Sequence, residues 1–562
     1  MNAVVQGYVP WPEEDAARYV AKGYWEGRSL DERIWSVAAR SPDATAVVDG
    51  STRLTYRELT ARAEAAAARL ATIGVEADDR IVVQLPNCWE FVVLVLACLR
   101  AGVPPILAVP ALGPHEITTI AERAEARAIV VASEFRGYRH ERMAHEVARS
   151  VASVEHVLAA GAAIDGRSVD LRALCALEPG PRSAVTPAGR RLADPQAIAC
   201  FLLSGGTTGA PKLIARTHDD YGYVVRRSAE VSGFDEQTVY LAVLPVEHNF
   251  AFGTPGILGA LVSGGRVVLS GSPAPRTALG LVERERVTVT SVVPTILQRW
   301  VEYRTSRREH DLSTLRVVQV GGAPMPLQLA ENVRAALSAS LQQVYGMGEG
   351  LLSFTRLADP DEVAHRTLGR PICPDDELLI VDEDGRALGR DRPGALLTRG
   401  PYTIRGYYRA GEYNGCAFTE DGWYRTGDIV RLRGDGNLVV EGREKDVIIR
   451  GGENVGAEEI ERLAYQVDGV RHAAVVAAPD ARLGESICLV VVPRTGATVD
   501  LAAVHAVMDR AGVARFKYPD SLVCVESMPL TGVGKINKRE LRSVVAALSA
   551  SATPARLPAP GP

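Results

Sequence analysis

Cysteine is sparse and never clustered: Cys88, Cys98, Cys175, Cys200, Cys373, Cys416, Cys488 and Cys524 include no Cys-x-x-Cys pair. Such dispersal in a large chain excludes a disulfide framework or a zinc site and fits reduced thiols in a cytoplasmic enzyme. Charge of one sign is also scarce. A net charge of −5 over 562 residues leaves no basic field for nucleic acid or an anionic membrane. Long apolar runs are missing too. The longest, Phe91 to Leu99, is stopped by Arg100 and is about half of what a bilayer requires, so it reads as a buried helix. Met1 to Gln6 lacks a basic region followed by an apolar core, so no secretory signal is expected. What is present is the composition of a globular protein, 47% hydrophobic and 23% charged. The length calls for about three to four structural units.

The chain is organised around Ser204-Gly205-Gly206-Thr207-Thr208-Gly209-Ala210-Pro211-Lys212, set between the apolar runs Ala197 to Leu203 and Leu213 to Thr217. Glycine lets the backbone turn sharply and approach a ligand, so such a loop can gather N–H and O–H donors around an anion such as phosphate. It is not a Walker A loop: Pro211 precedes Lys212 and Leu213 follows it, so the magnesium-holding hydroxyl is absent. Taken alone it is equally a surface turn.

Helices at Tyr56 to Leu70 and Trp89 to Ala101 alternate with strands at Arg80 to Leu85, Pro105 to Val109 and Ala128 to Ala132. Parallel strands need covering helices, so this rhythm predicts parallel α/β units. It resumes after the glycine loop with Val239 to Leu244, Arg266 to Leu269, Val287 to Val292, Leu315 to Val320 and Leu341 to Val344. Gly161 to Asp194 reads as a connection. An N-terminal arm with a short helix at Tyr19 to Trp25 leads in. From Leu378 the turns at Asp384-Gly385 and Gly394 punctuate alternating runs, as in a β-rich antiparallel subdomain reaching about Gly442. The fold class is therefore α/β: a large N-terminal domain of several subdomains over 1–444, a small mobile α+β C-terminal domain over 445–548, and a disordered Ala/Pro-rich tail over 549–562.

Downstream stand Tyr345-Gly346-Met347-Gly348-Glu349, Tyr424-Arg425-Thr426-Gly427-Asp428, Gly442-Arg443-Glu444-Lys445-Asp446, Arg450-Gly451-Gly452-Glu453-Asn454 and Gly532-Val533-Gly534-Lys535. In type and order this set resembles the motifs of the adenylate-forming superfamily, over roughly Tyr8 to Leu548. The resemblance implies a site that joins a carboxylate to ATP. Ser204, Gly205, Thr207, Thr208 and Lys212 would hold the leaving phosphates. Gly322 and Ala323 would lie against the adenine, and Tyr345, Gly346 and Met347 would belong to the ATP site. Glu349 would hold Mg2+, since carboxylates in phosphoryl sites suit that ion. Asp428 and Arg443 would meet the ribose, because a carboxylate can accept two hydrogen bonds from a vicinal diol. Lys535 would neutralise the acid and the α-phosphate when the small domain closes, and Lys445 would be the hinge that withdraws it. The catalytic set so implied is Lys535, Glu349, Thr208 and His248.

Within the superfamily, Pro10-Trp11-Pro12 with Gly23-Tyr24-Trp25 resembles the stand-alone aryl-acid AMP ligases. So does His248-Asn249-Phe250, which stands where amino-acid-activating relatives carry an aspartate. His248, Asn249, Phe250, Thr254, Gly321, Gly322 and Gly348 would form the aryl-acid pocket: an amide can pair with an ortho-hydroxyl and an aromatic wall can stack on a ring. Thr254 departs from the Ser or Cys of dihydroxybenzoate and salicylate ligases. Gly348 replaces the usual Ala and would enlarge the pocket slightly. Salicylate, a methylsalicylate, 2,3-dihydroxybenzoate and 3-hydroxypicolinate all remain open. The product would be passed to the phosphopantetheine thiol of an external carrier protein in siderophore or nonribosomal peptide synthesis, since no carrier domain is evident after Lys535. The rivals are an aryl-CoA ligase and a non-catalytic acyl-nucleotide binding protein. Oligomeric state is not legible.

Overall fold

The computed structural model describes residues 6–162, 164–177, 194–204, 211–450, 453–480, 483–511, 515–532 and 534–551. It divides into two compact units, 1–379 with 397–425, and 380–396 with 426–562.

In the first unit, β-branched runs assemble two sheets. One has nine strands in the order Arg370–Pro371, Gly350–Phe354, Ser340–Met347, Val317–Gly321, Val289–Val292, Val239–Ala242, Arg266–Leu269, Thr45–Asp49, Thr52–Thr55. From Ser340–Met347 to Thr45–Asp49 the pairing is parallel, and the flanking strands are antiparallel. The other has seven, in the order Val169–Asp170, His156–Ala160, Ala128–Ala132, Ile81–Gln84, Pro105–Leu107, Ile198–Leu203, Leu213–Thr217. All its pairs are parallel except the last, which brackets the glycine loop.

Sequence signals account for the helices. Tyr56–Thr72 starts at a capping box in which Thr55 and Glu58 exchange hydrogen bonds. Trp89–Ala101 is buried from Glu90 to Leu99, as its apolar run predicts, and stops at Gly102, whose φ of 69° suits a residue without Cβ. No helix among the described residues is long and apolar enough to cross a membrane. The stretch read as a connection holds a two-residue strand, Val169–Asp170, and a helical turn, Leu171–Leu174.

The expected helix at Tyr19 to Trp25 is displaced: the helix is Glu13–Ala21, and the chain turns at Gly23. Pro12 and the acidic first turn Glu13, Glu14 and Asp15 set its start. Trp25 instead packs edge-on to Trp11 at 5.3 Å, and its indole donates to Pro401 O at 3.0 Å, so the arm is pinned by its tryptophans.

The second unit contains the antiparallel pair Tyr424–Leu432 and Leu438–Arg443 from Thr426 onward. It also contains a five-stranded sheet, Glu453–Gly456, Val447–Arg450, Gly484–Pro493, Val470–Asp480 with Ser521–Cys524 beside Gly484–Pro493. Helices Ala457–Ala464 and Leu501–Arg510 bury Ile460, Val504 and Met508 in one apolar cluster with Val475 and Leu489 of this sheet. The mixed α+β pattern read from the sequence is what forms.

One buried ion pair ties the first unit together. Arg216, on Leu213–Thr217, is 1% exposed and meets Asp220, on helix His218–Val231, through Nε at 2.7 Å. Its remaining nitrogens donate to Gly348 O at 2.8 Å and Tyr402 O at 3.1 Å. Asp220 also accepts from the N–H and hydroxyl of Thr217 as the partner in the helix's capping box. Removing one member of such a pair leaves a bare buried charge. Arg216→Met should therefore cost about 3–5 kcal/mol in urea unfolding, and Arg216→Met with Asp220→Leu should recover much of the loss.

Candidate active site

The glycine loop is closed at its neck by two hydrogen bonds. Ser204 N–H donates to Lys212 O, and Lys212 N–H to Ser204 Oγ, each at 3.0 Å. Gly205, Thr207 and Thr208 lie outside the described residues. The Lys212 ammonium rests 3.8 Å from the ring centroid of Tyr413 and 5.7 Å from that of Tyr407, a cation–π setting that replaces part of its hydration. Burial lowers its pKa and the Glu349 carboxylate opposes the shift.

Glu349 stands in the tight connection between Ser340–Met347, the strand that contains Tyr345, Gly346 and Met347, and Gly350–Phe354. The carboxylate is thus at a strand's end, as the motif implied. It is buried at 7% exposure and accepts from the Tyr407 hydroxyl at 2.7 Å, with the Tyr424 hydroxyl 3.1 Å further on. Its backbone carbonyl accepts from Ile404 N–H at 2.8 Å. No group of three or more His, Cys, Asp or Glu suited to a metal occurs among the described residues. The Glu349 carboxylate would suit magnesium, a hard ion that takes oxygen ligands and needs few of them from protein.

In the second unit, register pairs Asp428 with Arg443 across two strands, and Arg443 Nε lies 2.9 Å from Asp428 Oδ1. Asp428 is buried, and its N–H donates to the Thr426 hydroxyl at 3.1 Å. Lys535 is carried on a tight turn: Thr531 N–H donates to Lys535 O at 2.7 Å, and Gly534 supplies the left-handed residue at φ 84°. Its ammonium feels both Asp428 and Arg443. Burial pushes its pKa down to about 8, Arg443 adds to the fall and Asp428 opposes it. Lys445 lies in the 3-10 turn Glu444–Asp446, whose Asp446 pairs with Arg542 at 2.7 Å.

The residues expected on the acid have unequal duties. His248 Nδ1 accepts from Phe250 N–H at 3.3 Å and so caps helix Asn249–Phe252, which requires that nitrogen to be unprotonated. Asn249 is half-buried, and its Oδ1 accepts from the Tyr221 hydroxyl at 2.7 Å. Phe250 is 7% exposed and belongs to the large apolar cluster. The Thr254 hydroxyl donates to Asn249 O at 2.9 Å. At Gly321 a Cβ would stand 2.5 Å from Val344 O of the neighbouring strand, so sheet packing dictates that glycine, while Gly322 turns the chain at φ 82° beside half-buried Ala323.

The direction a side chain at Gly348 would take leads toward the strands that flank the glycine loop. A Cβ there would meet Ile214 Cδ1 at 2.9 Å and Leu202 Cδ1 at 3.7 Å, so core side chains already occupy that space.

Sequence reasoning missed Tyr407, Tyr413, Tyr221, Arg216 and Glu247. The tyrosines and the arginine act over long sequence separations that no local pattern reports. Glu247 had a signal, a carboxylate between Val246 and His248 in an apolar stretch. It is 3% exposed, and neither carboxyl oxygen has a hydrogen-bond partner among the described residues. Burial pushes its pKa well up, and the nearby amides of Glu247 and Leu85 offset only part of this. The native group therefore stays protonated where the unfolded chain, titrating at about 4.3, is ionised. Glu247→Gln should be without effect near pH 4 and should stabilise increasingly from pH 5 to pH 8, by about 1–3 kcal/mol at the upper end. Urea unfolding at those pH values measures it.

Comparison with known proteins follows the same lines. A family model described as AMP-binding enzyme matches residues 34–408, and one described as AMP-binding enzyme C-terminal domain matches 459–535. The chain is 52% identical to a 2-hydroxy-7-methoxy-5-methyl-1-naphthoate–CoA ligase of Streptomyces carzinostaticus, over 97% of this chain and 98% of that one. It is 43% identical to a salicyl-AMP ligase / salicyl-S-ArCP synthetase of Mycobacterium tuberculosis, over 95% and 94%. Among solved structures it resembles apo MbtA of Mycobacterium smegmatis, with a TM-score of 0.73 and 43% identity over 96% and 98% of the two chains. With both family models matched on an α/β fold, the chain belongs to the AMP-binding enzymes, and it is an adenylate-forming ligase that uses ATP.

Proposed function

We propose that this ligase activates a 2-hydroxyaryl carboxylic acid of the salicylate or 2,3-dihydroxybenzoate type. The acyl group then passes to the phosphopantetheine thiol of an aryl carrier protein, in siderophore or nonribosomal peptide synthesis. The observation that carries the reading is the Asn249 amide, ordered by Tyr221 on a short helix beside an apolar core. The related ligases named above take ortho-hydroxy aryl acids.

In the first half-reaction a carboxylate oxygen of the acid bonds to the α-phosphorus of ATP and the bond to pyrophosphate breaks. Two anions must meet, and the chain answers with cations that are already partly desolvated. Lys212, resting on tyrosine faces, serves the leaving phosphates with Ser204, Thr207 and Thr208. Glu349 would hold Mg2+, which supplies charge neutralisation at the phosphates when bound. Asp428 and Arg443 receive the ribose. Lys535 donates to the α-phosphate and carboxylate oxygens as negative charge builds. In the second half-reaction the thiol sulfur attacks the acyl carbon, AMP leaves, and rotation about Lys445 withdraws Lys535. Coenzyme A ends in the same thiol, and two relatives are named for a CoA product, so free CoA is the control acceptor.

Pyrophosphate exchange over salicylate, 2,3-dihydroxybenzoate, a methylsalicylate and 3-hydroxypicolinate tests the substrate. Failure with every one overturns the reading, and faster acylation of CoA than of carrier replaces the acceptor. Lys535 acts only when protonated, so kcat/KM for adenylation should fall above about pH 8 and Lys535→Arg should move that limb upward. Lys535→Ala should lower adenylation about 10²–10³-fold. Lys445→Pro should spare pyrophosphate exchange more than thioester formation, and equal loss in both assays counts against the hinge.

A further inference from the structure

Tyr221 is a buried phenol whose position is fixed from every side. Its ring lies between the Arg216 guanidinium, 5.1 Å from the centroid, and the Phe252 ring, stacked at 5.9 Å and 21°. Its hydroxyl presses on Gly253, where a Cβ would stand 2.4 Å from the oxygen. No side chain larger than hydrogen fits there. The polar partner of that hydroxyl is Asn249 Oδ1 at 2.7 Å.

We infer that Tyr221 is a specificity-determining positioning residue: it fixes the Asn249 amide so that only N–H donors face the acid, which selects an ortho substituent that accepts a hydrogen bond. The step rests on the function proposed above. Asn249 has a carbonyl oxygen and an NH2 group that a rotation of the amide would exchange. Were the NH2 turned to Tyr221, the phenol hydrogen would have no acceptor among the described residues, and a buried unspent donor is costly. With Oδ1 turned to Tyr221, Asn249 presents its NH2 hydrogens on the opposite side of the amide.

Two ortho-substituted acids of nearly equal size respond oppositely. In salicylate the phenol hydrogen turns to the adjacent carboxylate, and the phenol oxygen presents lone pairs that an amide N–H can use. In anthranilate the amine lone pair is drawn into the ring and its hydrogens point outward, so N–H would face N–H. The ortho-hydroxyl is thus preferred by polarity, not by volume.

The test is adenylate formation by the full chain with salicylate and anthranilate, read as the ratio of kcat/KM values. The wild-type ratio should favour salicylate by about ten- to a hundredfold, the effect of one mismatched buried donor. Tyr221→Phe keeps the ring and frees the amide, so the ratio should fall about tenfold toward anthranilate even if both rates drop. Asn249→Ala should abolish the preference, and adding Tyr221→Phe to it should change the ratio no further. A ratio unchanged in Tyr221→Phe, or unchanged in Asn249→Ala, overturns the inference while leaving the proposed function standing. Absence of adenylate from every benzoate in the wild-type chain removes the proposed function, and this inference with it.

Discussion

A guanidinium shut away from water must be surrounded by acceptors, and Arg216 has them: Asp220 and the carbonyl oxygens of Gly348 and Tyr402. These belong to a strand, a helix, the turn that presents Glu349, and a loop far along the chain. Charge-assisted bonds in a dry interior tolerate little displacement. The arginine therefore sets the distance between the glutamate turn and the helix that carries Tyr221. A buried ion pair is weak evidence of stability, but it specifies one arrangement well.

Reactive groups are held differently in the two units. Around Glu349, tyrosine hydroxyls and ring faces help to order the carboxylate and Lys212, two opposite charges that also feel each other. Around Lys535 the company is an ion pair, Asp428 with Arg443, whose opposing effects leave the ammonium only loosely favoured. In both places a charge is kept short of its full solvation, the condition under which an incoming anion gains most.

Local patterns made much of this legible. The apolar run before Arg100 and the β-branched strands each point to the element that forms. The first helix lies at Glu13–Ala21, ahead of the expected Tyr19 to Trp25, because Tyr19, Tyr24 and Trp25 pack around a turn at Gly23. The ordered motifs single out Glu349, Lys212, Asp428, Arg443 and Lys535 as candidates. What they did not reveal are the partners, since Tyr407 lies 58 residues from Glu349 and Tyr402 lies 186 from Arg216. Period and spacing describe neighbours along the chain, and these contacts exist only once two sheets have packed.

The space beside Gly348 is filled by Ile214 and Leu202. A methyl group introduced at that position would press on the strands flanking the glycine loop and, through Gly348 O, on Arg216. What position 348 tolerates is thus decided by how far the ends of Ile214 and Leu202, on strands either side of the loop, can give way.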